Sequence, residues 1–263
     1  MKIRHYLYNA FIIEDGKTKI AIDPGLNLWI FKIGSLIPKS EWPTITHVLA
    51  THGDPDHYWN VDRVVKAAKA PLVCGKELVK KEDNKTFIAD PRGKDIQFKT
   101  ELENVQAISI GQTLNINGVK IEGLKAVHGP LVVRLFWGLL KFVLKPGPGE
   151  RVGLGNIGFK ITLGNKTLAN LSDTVLMDDW KGLRPDVLMI PIGGKVPENT
   201  MDEKEALEAV KMIQPKLVIP CHYNCAFFWK KNYNPTDDQI FKREVEKLGI
   251  KCAIMKSGDE IEV

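Results

Sequence analysis

Four side chains that can bind a transition metal lie close together in the stretch Thr51-His52-Gly53-Asp54-Pro55-Asp56-His57. The chain has six histidines in all, so two within so short a stretch are informative. Imidazole and carboxylate groups are preferred ligands of divalent transition metals, and clustering four of them without a cation would be costly. Alternate residues of an extended segment point the same way, so His52, Asp54 and Asp56 can converge while His57 turns in as a helix begins.

Three further candidates stand directly after predicted strands. His128 follows residues 121–127, Asp173 follows residues 167–172, and His222 follows residues 217–220. Any one of these residues could merely cap a helix or turn, as Asp56 or Asp173 could. Four separate strand ends that all carry His or Asp favour a shared metal site instead.

Short apolar strands alternate with helical patterns around these residues. Strands before helices in both halves of the chain predict an α/β protein with layered sheets, and the length fits a single domain over residues 1–263. The predicted strands are 3–13, 18–23, 45–51, 72–74, 105–110, 119–127, 157–163, 166–172, 187–192, 216–220 and 251–255, and the predicted helices begin near 61, 202 and 237 and end near 68, 213 and 248.

The composition argues against several classes of protein. The net charge of +5 is mild, and Lys and Arg alternate with Asp and Glu, so we expect no nucleic-acid partner. The first residues lack the apolar core of a secretory signal, and no apolar run reaches the roughly 18 residues needed to span a bilayer. Four scattered cysteines predict reduced, buried thiols in a cytoplasmic protein.

The order and spacing of five stretches resemble the metallo-β-lactamase superfamily, and within it the branch of ascorbate-6-phosphate lactonases and N-acyl-phosphatidylethanolamine phospholipase D. The resemblance runs through nearly the whole chain and implies a four-layer αβ/βα sandwich, the metallo-β-lactamase fold, with metals in a cleft at the sheet edges. The stretches are Asp23-Pro24-Gly25, Thr51–His57, Val127-His128-Gly129, Ser172-Asp173-Thr174 and Ile219-Pro220-Cys221-His222-Tyr223.

The resemblance also implies a role for each matching residue and two divalent ions per chain, zinc, manganese or iron. A hydroxide bound between the ions would attack an ester, lactone or phosphodiester of a small-molecule substrate. Asp56 and Asp173 are the predicted catalytic residues, and Asp23 supports the site from behind. One ion would be held by His52, Asp54 and His128, the other by Asp56, His57 and His222, with Asp173 bridging the pair.

Asp54 departs from the family pattern, which has a second histidine at this position. Asp54 could bind and give a harder ligand set that favours manganese or iron over zinc, or it could fall short and leave one site weak or empty. Two alternative functions follow. One is an iron-containing redox metalloprotein, which resembles the diiron flavoproteins of the superfamily but lacks their flavin domain; the other is a metal-binding protein without catalysis.

An apolar insert at about 131–149 interrupts the family pattern between His128 and Asp173, and we expect it beside the cleft. If helical, it would place Arg134 and Lys141 on one face of a mostly apolar element. Three interpretations stay open: a buried element or subunit interface of a homo-oligomer, a lid for an apolar or acyl substrate, and peripheral contact with a lipid surface. Phe136, Trp137 and Tyr223 are candidate substrate contacts, whereas His5 and His47 have no predicted role at the site.

Overall fold

Two seven-stranded sheets form the centre of the protein. The computed structural model describes residues 1–92, 95–135 and 140–263, with the backbone alone at 133–135 and 140–142. The first sheet has the order β19-β1-β2-β3-β4-β5-β9, and the second has the order β10-β11-β14-β15-β16-β17-β18. The strands of the first sheet are β1 (Lys2–His5), β2 (Phe11–Asp15), β3 (Thr18–Ile22), β4 (His47–Ala50), β5 (Leu72–Gly75), β9 (Val105–Ile108) and β19 (Glu260–Glu262). Those of the second are β10 (Thr113–Ile116), β11 (Val119–Leu124), β14 (Gly158–Leu163), β15 (Lys166–Asn170), β16 (Val187–Pro191), β17 (Leu217–Cys221) and β18 (Lys251–Cys252).

Helices cover the outer face of each sheet. The helices α1 (Pro55–Tyr58) and α2 (Val61–Ala68) follow β4, and Val61, Val64 and Val65 pack on the outside of the first sheet. The helices α3 (Glu203–Ile213) and α4 (Asp238–Lys247) cover the second sheet. The predicted four-layer αβ/βα sandwich is thereby confirmed.

The continuous apolar runs of the central strands follow from burial on both faces. In β4, Leu49 packs between the sheets while Val48 and Ala50 face the helices. In β16, Val187 and Met189 pack between the sheets while Leu188 and Ile190 face α3 and α4. A strand with two buried faces needs no alternation of polar and apolar residues. A continuous apolar run therefore predicts such a strand well.

The neighbouring strands β3, β4, β5 and β9 are parallel, and so are β15, β16, β17 and β18. The carboxyl ends of parallel strands meet at one edge of a sheet, which is where open α/β sheets place their ligands. The two parallel sets therefore bring the loops after β3, β4, β15 and β17 to the same end of the sandwich.

Two parts of the predicted strand pattern are wrong. Residues 3–13 form two strands rather than one, because the chain reverses at residues 6–10, where Tyr8 has a φ of 53° and the Tyr6 backbone N–H donates to the Ala10 carbonyl. A separate three-stranded sheet of β6 (Val79–Glu82), β7 (Lys85–Ala89) and β8 (Phe98–Glu101) was not predicted. Only Ile88 and Ala89 of these strands are buried, and the strands are rich in lysine, so they lack the apolar pattern of a buried strand.

The apolar insert forms a two-stranded antiparallel hairpin instead of the helix considered above. Its strands are β12 (Leu131–Leu135) and β13 (Leu140–Leu144), paired from Leu131–Leu144 to Leu135–Leu140. Phe136 and Trp137 lie outside the described residues. Lys145–Gly149 follows as a loop without regular structure, as expected.

The remaining histidines and the cysteines have structural surroundings. His47 contacts Thr46 Oγ1 at 2.9 Å and the Ile116 carbonyl at 3.0 Å, and His5 lies between the carbonyls of Tyr8 and Met255. All four cysteines are buried and unpaired, as predicted. Among the described residues, no helix is both long enough and apolar enough to cross a membrane.

Candidate metal centre

One group of ligands surrounds Asp54, the residue that departs from the expected pattern. Asp54 Oδ2 lies 3.5 Å from His52 Nε2 and 3.3 Å from His128 Nε2. The ligand atoms of these three residues lie within 4.8 Å of one another. Asp54 therefore stands close enough to both histidines to share an ion with them, although it comes from the loop after β4 and His128 comes from the segment after β11.

A second group forms around Asp56, His57 and His222. Asp56 Oδ2 lies 3.5 Å from His57 Nε2 and 3.4 Å from His222 Nε2. Asp173 stands between the groups, with Oδ2 at 3.6 Å from His57 Nε2 and 3.0 Å from His222 Nε2, and its ligand atoms also cluster with those of His52. The two groups and the intermediate position of Asp173 coincide with the arrangement that the resemblance implies.

The buried polar atoms of this cluster fit a bound cation. Six atoms on five residues make no hydrogen bond to the described part of the chain, although they are buried. An unpaired buried polar atom is costly, and the four histidine Nε2 atoms that lie against the carboxylates here fit a cation as their partner. Imidazole nitrogens and carboxylate oxygens in this number suit divalent transition metals. The atoms are Nε2 of His52, His57 and His128, both ring nitrogens of His222, and Oδ1 of Asp173.

Asp23 fixes the orientation of His57 from behind. Its Oδ2 lies 2.8 Å from His57 Nδ1 and accepts a hydrogen bond from Thr51 Oγ1, while its Oδ1 accepts from the Thr51 backbone N–H at 2.7 Å. The contact places the proton of His57 on Nδ1 and leaves Nε2 free to bind a metal. Asp23 has a φ of 48° in the turn that begins at the end of β3. Asp23 thus makes the contact with His57 that its predicted supporting role requires.

A pair of buried asparagines continues this network across the two sheets. Asn9 donates to Asp23 Oδ2 at 2.6 Å and to Asn170 Oδ1 at 3.0 Å, and Asn170 donates back to Asn9 Oδ1 at 2.8 Å. Asn170 Oδ1 also accepts from the backbone N–H of Ser172, the residue before Asp173. The support of His57 in one sheet is therefore linked to the turn that carries Asp173 in the other.

Two more asparagines and a glycine position the carboxylates. Asn199 donates to Asp173 Oδ2 at 3.1 Å, and Asn156 donates to the Asp173 carbonyl at 2.8 Å. The backbone N–H of Gly153 donates to Asp54 Oδ1 at 3.1 Å. A Cβ at Gly153 would lie 2.6 Å from the Cβ of His128, so this close approach requires glycine.

Charge within the cluster keeps the carboxylates ionised. Burial raises the pKa of a carboxyl group, but the facing histidines outweigh it and hold the pKa values of Asp54, Asp56 and Asp173 below their usual range. Burial lowers the pKa of His57, yet Asp56 and Asp173 raise it well above its ordinary value. Because the nitrogen that binds a metal must be deprotonated, a cation at His57 Nε2 displaces the proton there and leaves the one on Nδ1.

A cleft of about 810 Å³ opens above the cluster. Asp54, Asp56, Asp173 and His222 lie at its floor, and its walls are largely apolar. The insert lies beside the cleft as expected, since Leu131, Val143 and Leu144 line it. Further lining residues are Tyr8, Leu28, Arg151, Cys225, Phe227, Phe228 and Tyr233.

The structure does not bring Tyr223 into this cleft. Tyr223 packs instead against the core beneath α3 and α4, where burial and Asp238 raise the pKa of its hydroxyl group. The tyrosines that line the cleft are Tyr8 and Tyr233, as far as the described residues go. Sequence reasoning had no signal for them, since Tyr8 lies in an unpredicted reversal and Tyr233 in an irregular loop.

Comparison with known proteins accounts for this geometry. Residues 2–222 match the beta-lactamase superfamily domain. A UPF0173 metal-dependent hydrolase of Nanoarchaeum equitans is 30% identical over 269 residues, which cover 100% of both chains. This chain is a member of the UPF0173 family of metal-dependent hydrolases. The predicted superfamily is therefore confirmed, while the ascorbate lactonase and phospholipase D branch stays a prediction.

Solved structures share the fold of this UPF0173 hydrolase. Igni18, a metallo hydrolase of Ignicoccus hospitalis, superposes with a TM-score of 0.69 at 22% identity and covers 100% of this chain and 98% of its own. CmlA, a diiron β-hydroxylase of Streptomyces venezuelae, gives a TM-score of 0.65 at 12% identity and covers 100% of this chain and 54% of its own. At these identities the likeness concerns the fold alone.

Proposed function

We propose that this protein uses two divalent metal ions to hydrolyse an ester, lactone or phosphodiester bond. The observation that carries the proposal is the convergence of four buried histidine Nε2 atoms, none with a hydrogen-bond partner in the described chain, beneath an open cleft. Such ions supply an activated water and polarise the scissile oxygen. A purely structural metal site is closed by protein ligands, whereas this one faces a cleft large enough for a small molecule.

Each part of the chain has a defined task in this proposal. His52, Asp54 and His128 would hold one ion, Asp56, His57 and His222 would hold the other, and Asp173 would serve both. Asp23 keeps the His57 proton on Nδ1, and Asn199 restrains Asp173 through Oδ2. Asp56 and Asp173, the catalytic residues in this proposal, stand at the open side of the cluster, where they face a substrate that enters the cleft.

The walls of the cleft favour a substrate with an apolar part. Leu28, Val143, Leu144 and Phe227 contribute aliphatic and aromatic surface close to the acidic floor. A substrate that places its scissile bond at the floor would lay an acyl or alkyl group along these side chains. We therefore propose an acylated or otherwise lipid-like small molecule as the substrate class.

Asp54 bears on the identity of the ions. With Asp54, Asp56 and Asp173 ionised, two dications leave a net charge of about +1, one less than with histidine at position 54. Oxygen ligands in place of nitrogen make the site harder, and we propose that it accepts manganese or iron as well as zinc.

The proposal is tested by metal analysis combined with turnover. Protein purified without chelator is analysed for zinc, manganese and iron, then stripped and reloaded with each metal separately. Every loaded form is assayed on aryl esters of increasing acyl length, on lactones and on an aryl phosphodiester. We expect two ions per chain and metal-dependent turnover that rises with acyl length.

Asp173→Asn supplies the variant, because it removes the carboxylate that contacts both ligand groups. Asp178→Asn is the matched control, since Asp178 is an exposed carboxylate a few residues further along the chain. We expect a loss of at least about 100-fold in kcat/KM for Asp173→Asn and none for the control. Full metal loading without turnover on all three substrate classes would instead identify a metal-binding protein without this activity.

A further inference from the structure

The mouth of the cleft is bordered by three segments that expose large apolar side chains. We call these segments, residues 29–33, 143–145 and 227–231, the rim. Seven of the eleven large apolar side chains that are exposed among the described residues belong to the rim. Phe31 is 71% exposed and Trp229 is 66% exposed. Such a concentration on one face is unlike the scattered exposure of apolar residues that is normal on a protein surface.

Backbone contacts join two of these segments into one surface. The Phe228 N–H donates to the Leu28 carbonyl at 2.9 Å, and the Ile30 N–H donates to the Phe228 carbonyl at 3.1 Å. The same cleft is lined by Leu28, Phe228, Val143 and Leu144. Residues 143–145 therefore lie beside the other two segments. The rim therefore surrounds the entrance to the metal centre and is not a patch elsewhere on the molecule.

The charges in and around the rim are almost all positive. Residues 24–40 and 223–236 contain no Asp or Glu. Lys32, Lys145, Lys230 and Lys231 are exposed within the rim itself. The acidic residue that follows residues 143–145 most closely in the sequence is Glu150, and Arg151 comes directly after it. Exposed aromatic side chains flanked by lysines are complementary to a layer with an apolar interior and an anionic outer surface.

We propose that the rim docks on an anionic lipid surface, with Phe31 and Trp229 inserted at the headgroup level and the lysines against the lipid phosphates. A second copy of this chain is a poorer occupant, because a two-fold interface would bring the same lysines of both copies together. Docking would set the mouth of the cleft against the lipid layer. The inference does not depend on which bond the site cleaves, since binding is measured without turnover.

The docking segments differ from the one that the sequence drew attention to. The insert contributes Val143, Leu144 and Lys145, but the most exposed aromatic side chains, Phe31 and Trp229, come from loops after β3 and β17. Neither loop has a long apolar run or helical periodicity, so the pattern of the chain gave no sign of a shared surface. The fold creates it by placing both loops at the carboxyl ends of parallel strands.

Vesicle co-sedimentation of the metal-loaded protein tests the proposal. Phosphatidylcholine vesicles with and without phosphatidylglycerol are compared at low and high salt. We expect binding to the anionic vesicles that weakens with salt. Lys230→Gln/Lys231→Gln should lower the partition coefficient about 30-fold, since each lysine near an anionic surface contributes about 1 kcal/mol. Phe31→Ser/Trp229→Ser should lower it by about tenfold or more.

Ile110→Ser/Ile240→Ser is the matched control, because both side chains are exposed but neither lines the cleft. This control should bind vesicles as the unchanged protein does, and all variants should keep their metal content and melting temperature. Absence of binding to anionic vesicles, or equal losses in the control and the rim variants, would overturn the proposal. It would also be overturned if light scattering showed an oligomer that Phe31→Ser/Trp229→Ser converts to a monomer, because the rim would then be a self-interface.

Discussion

Asp54 is the residue at which this site differs from the pattern it resembles, and its position explains how the difference is accommodated. Its Oδ2 faces both His52 and His128 while its Oδ1 accepts the Gly153 N–H. A carboxylate has two oxygens for these two tasks, and a neutral imidazole with one nitrogen on a metal has a single N–H left for a second partner. The backbone donor at Gly153 thus suits an acidic residue at position 54.

The first prediction concerns metal selection at this residue. Asp54→His should raise the ratio of bound zinc to bound manganese by about tenfold, because it replaces a hard oxygen ligand with imidazole nitrogen. Metal-free protein is equilibrated with equal concentrations of both ions and analysed after desalting. Asp54→Asn, which removes the charge but adds no imidazole, serves as the comparison. An unchanged ratio in Asp54→His would show that Asp54 does not contact the ion.

A second prediction addresses the support of His57. Asp23→Asn removes the charge of the carboxylate whose Oδ2 lies 2.8 Å from His57 Nδ1, so the ring is less firmly oriented. Metal affinity should fall by about 10- to 100-fold. A competition titration with a fluorescent chelator measures the change, and Asp15→Asn, at a partly exposed site in the first sheet, should leave affinity unaltered.

Among the secondary-structure elements, the buried parallel strands and the residues at their ends could be predicted, and the supporting loops could not. β4 and β17 have apolar residues on both faces, and His52 and His222 follow these strands. Asn9 and Asn170 gave no signal, because 161 residues separate them and their roles depend on how the two sheets pack. Asn199 was missed for the same reason, since its partner Asp173 comes from a different loop.

The loop before β14 leads to a third prediction. Gly153→Ala should weaken metal binding by about tenfold, because the added Cβ meets His128 at 2.6 Å and displaces its ring from Asp54. Gly149→Ala in the same loop is the control: Gly149 also has a positive φ, 81°, but a Cβ there meets nothing within 4 Å. Both substitutions should lower the free energy of unfolding, because both glycines have a positive φ. Only Gly153→Ala should also lower the metal affinity measured by titration. Equal affinities would show that His128 tolerates the shift.

In the molecule as a whole, the proposed metal centre draws its ligands from both halves of the sandwich. His52 and His57 come from the loop after β4 in the first sheet, and Asp173 and His222 come from loops after β15 and β17 in the second. Ions held by both sets would resist separation of the sheets. Without them, the buried imidazole nitrogens lack the partner that a metal would supply.

The fourth prediction is that metal removal destabilises the entire fold. At a free metal concentration of about 1,000 times Kd, binding adds about 4 kcal/mol to the free energy of unfolding, which corresponds to a Tm shift of about 10 °C. Calorimetry before and after chelation, with metal content measured in parallel, checks it. His57→Ala/His222→Ala should already show the lower Tm and respond little to chelator. A Tm that chelation leaves unchanged in the unaltered protein would contradict a link between the halves.

The paired asparagines between the sheets have a spectroscopic consequence. Asn9 and Asn170 are almost completely shielded from solvent, with exposed fractions of 1% and 0%. Their side-chain amide protons should therefore exchange with deuterium as slowly as those of the core strands. Because Asn9 donates to the same carboxylate oxygen that holds His57, its NMR signal should move when a metal binds at His57. The Asn9 amide resonance would thus report metal occupancy from inside the protein, with no attached probe and no substrate.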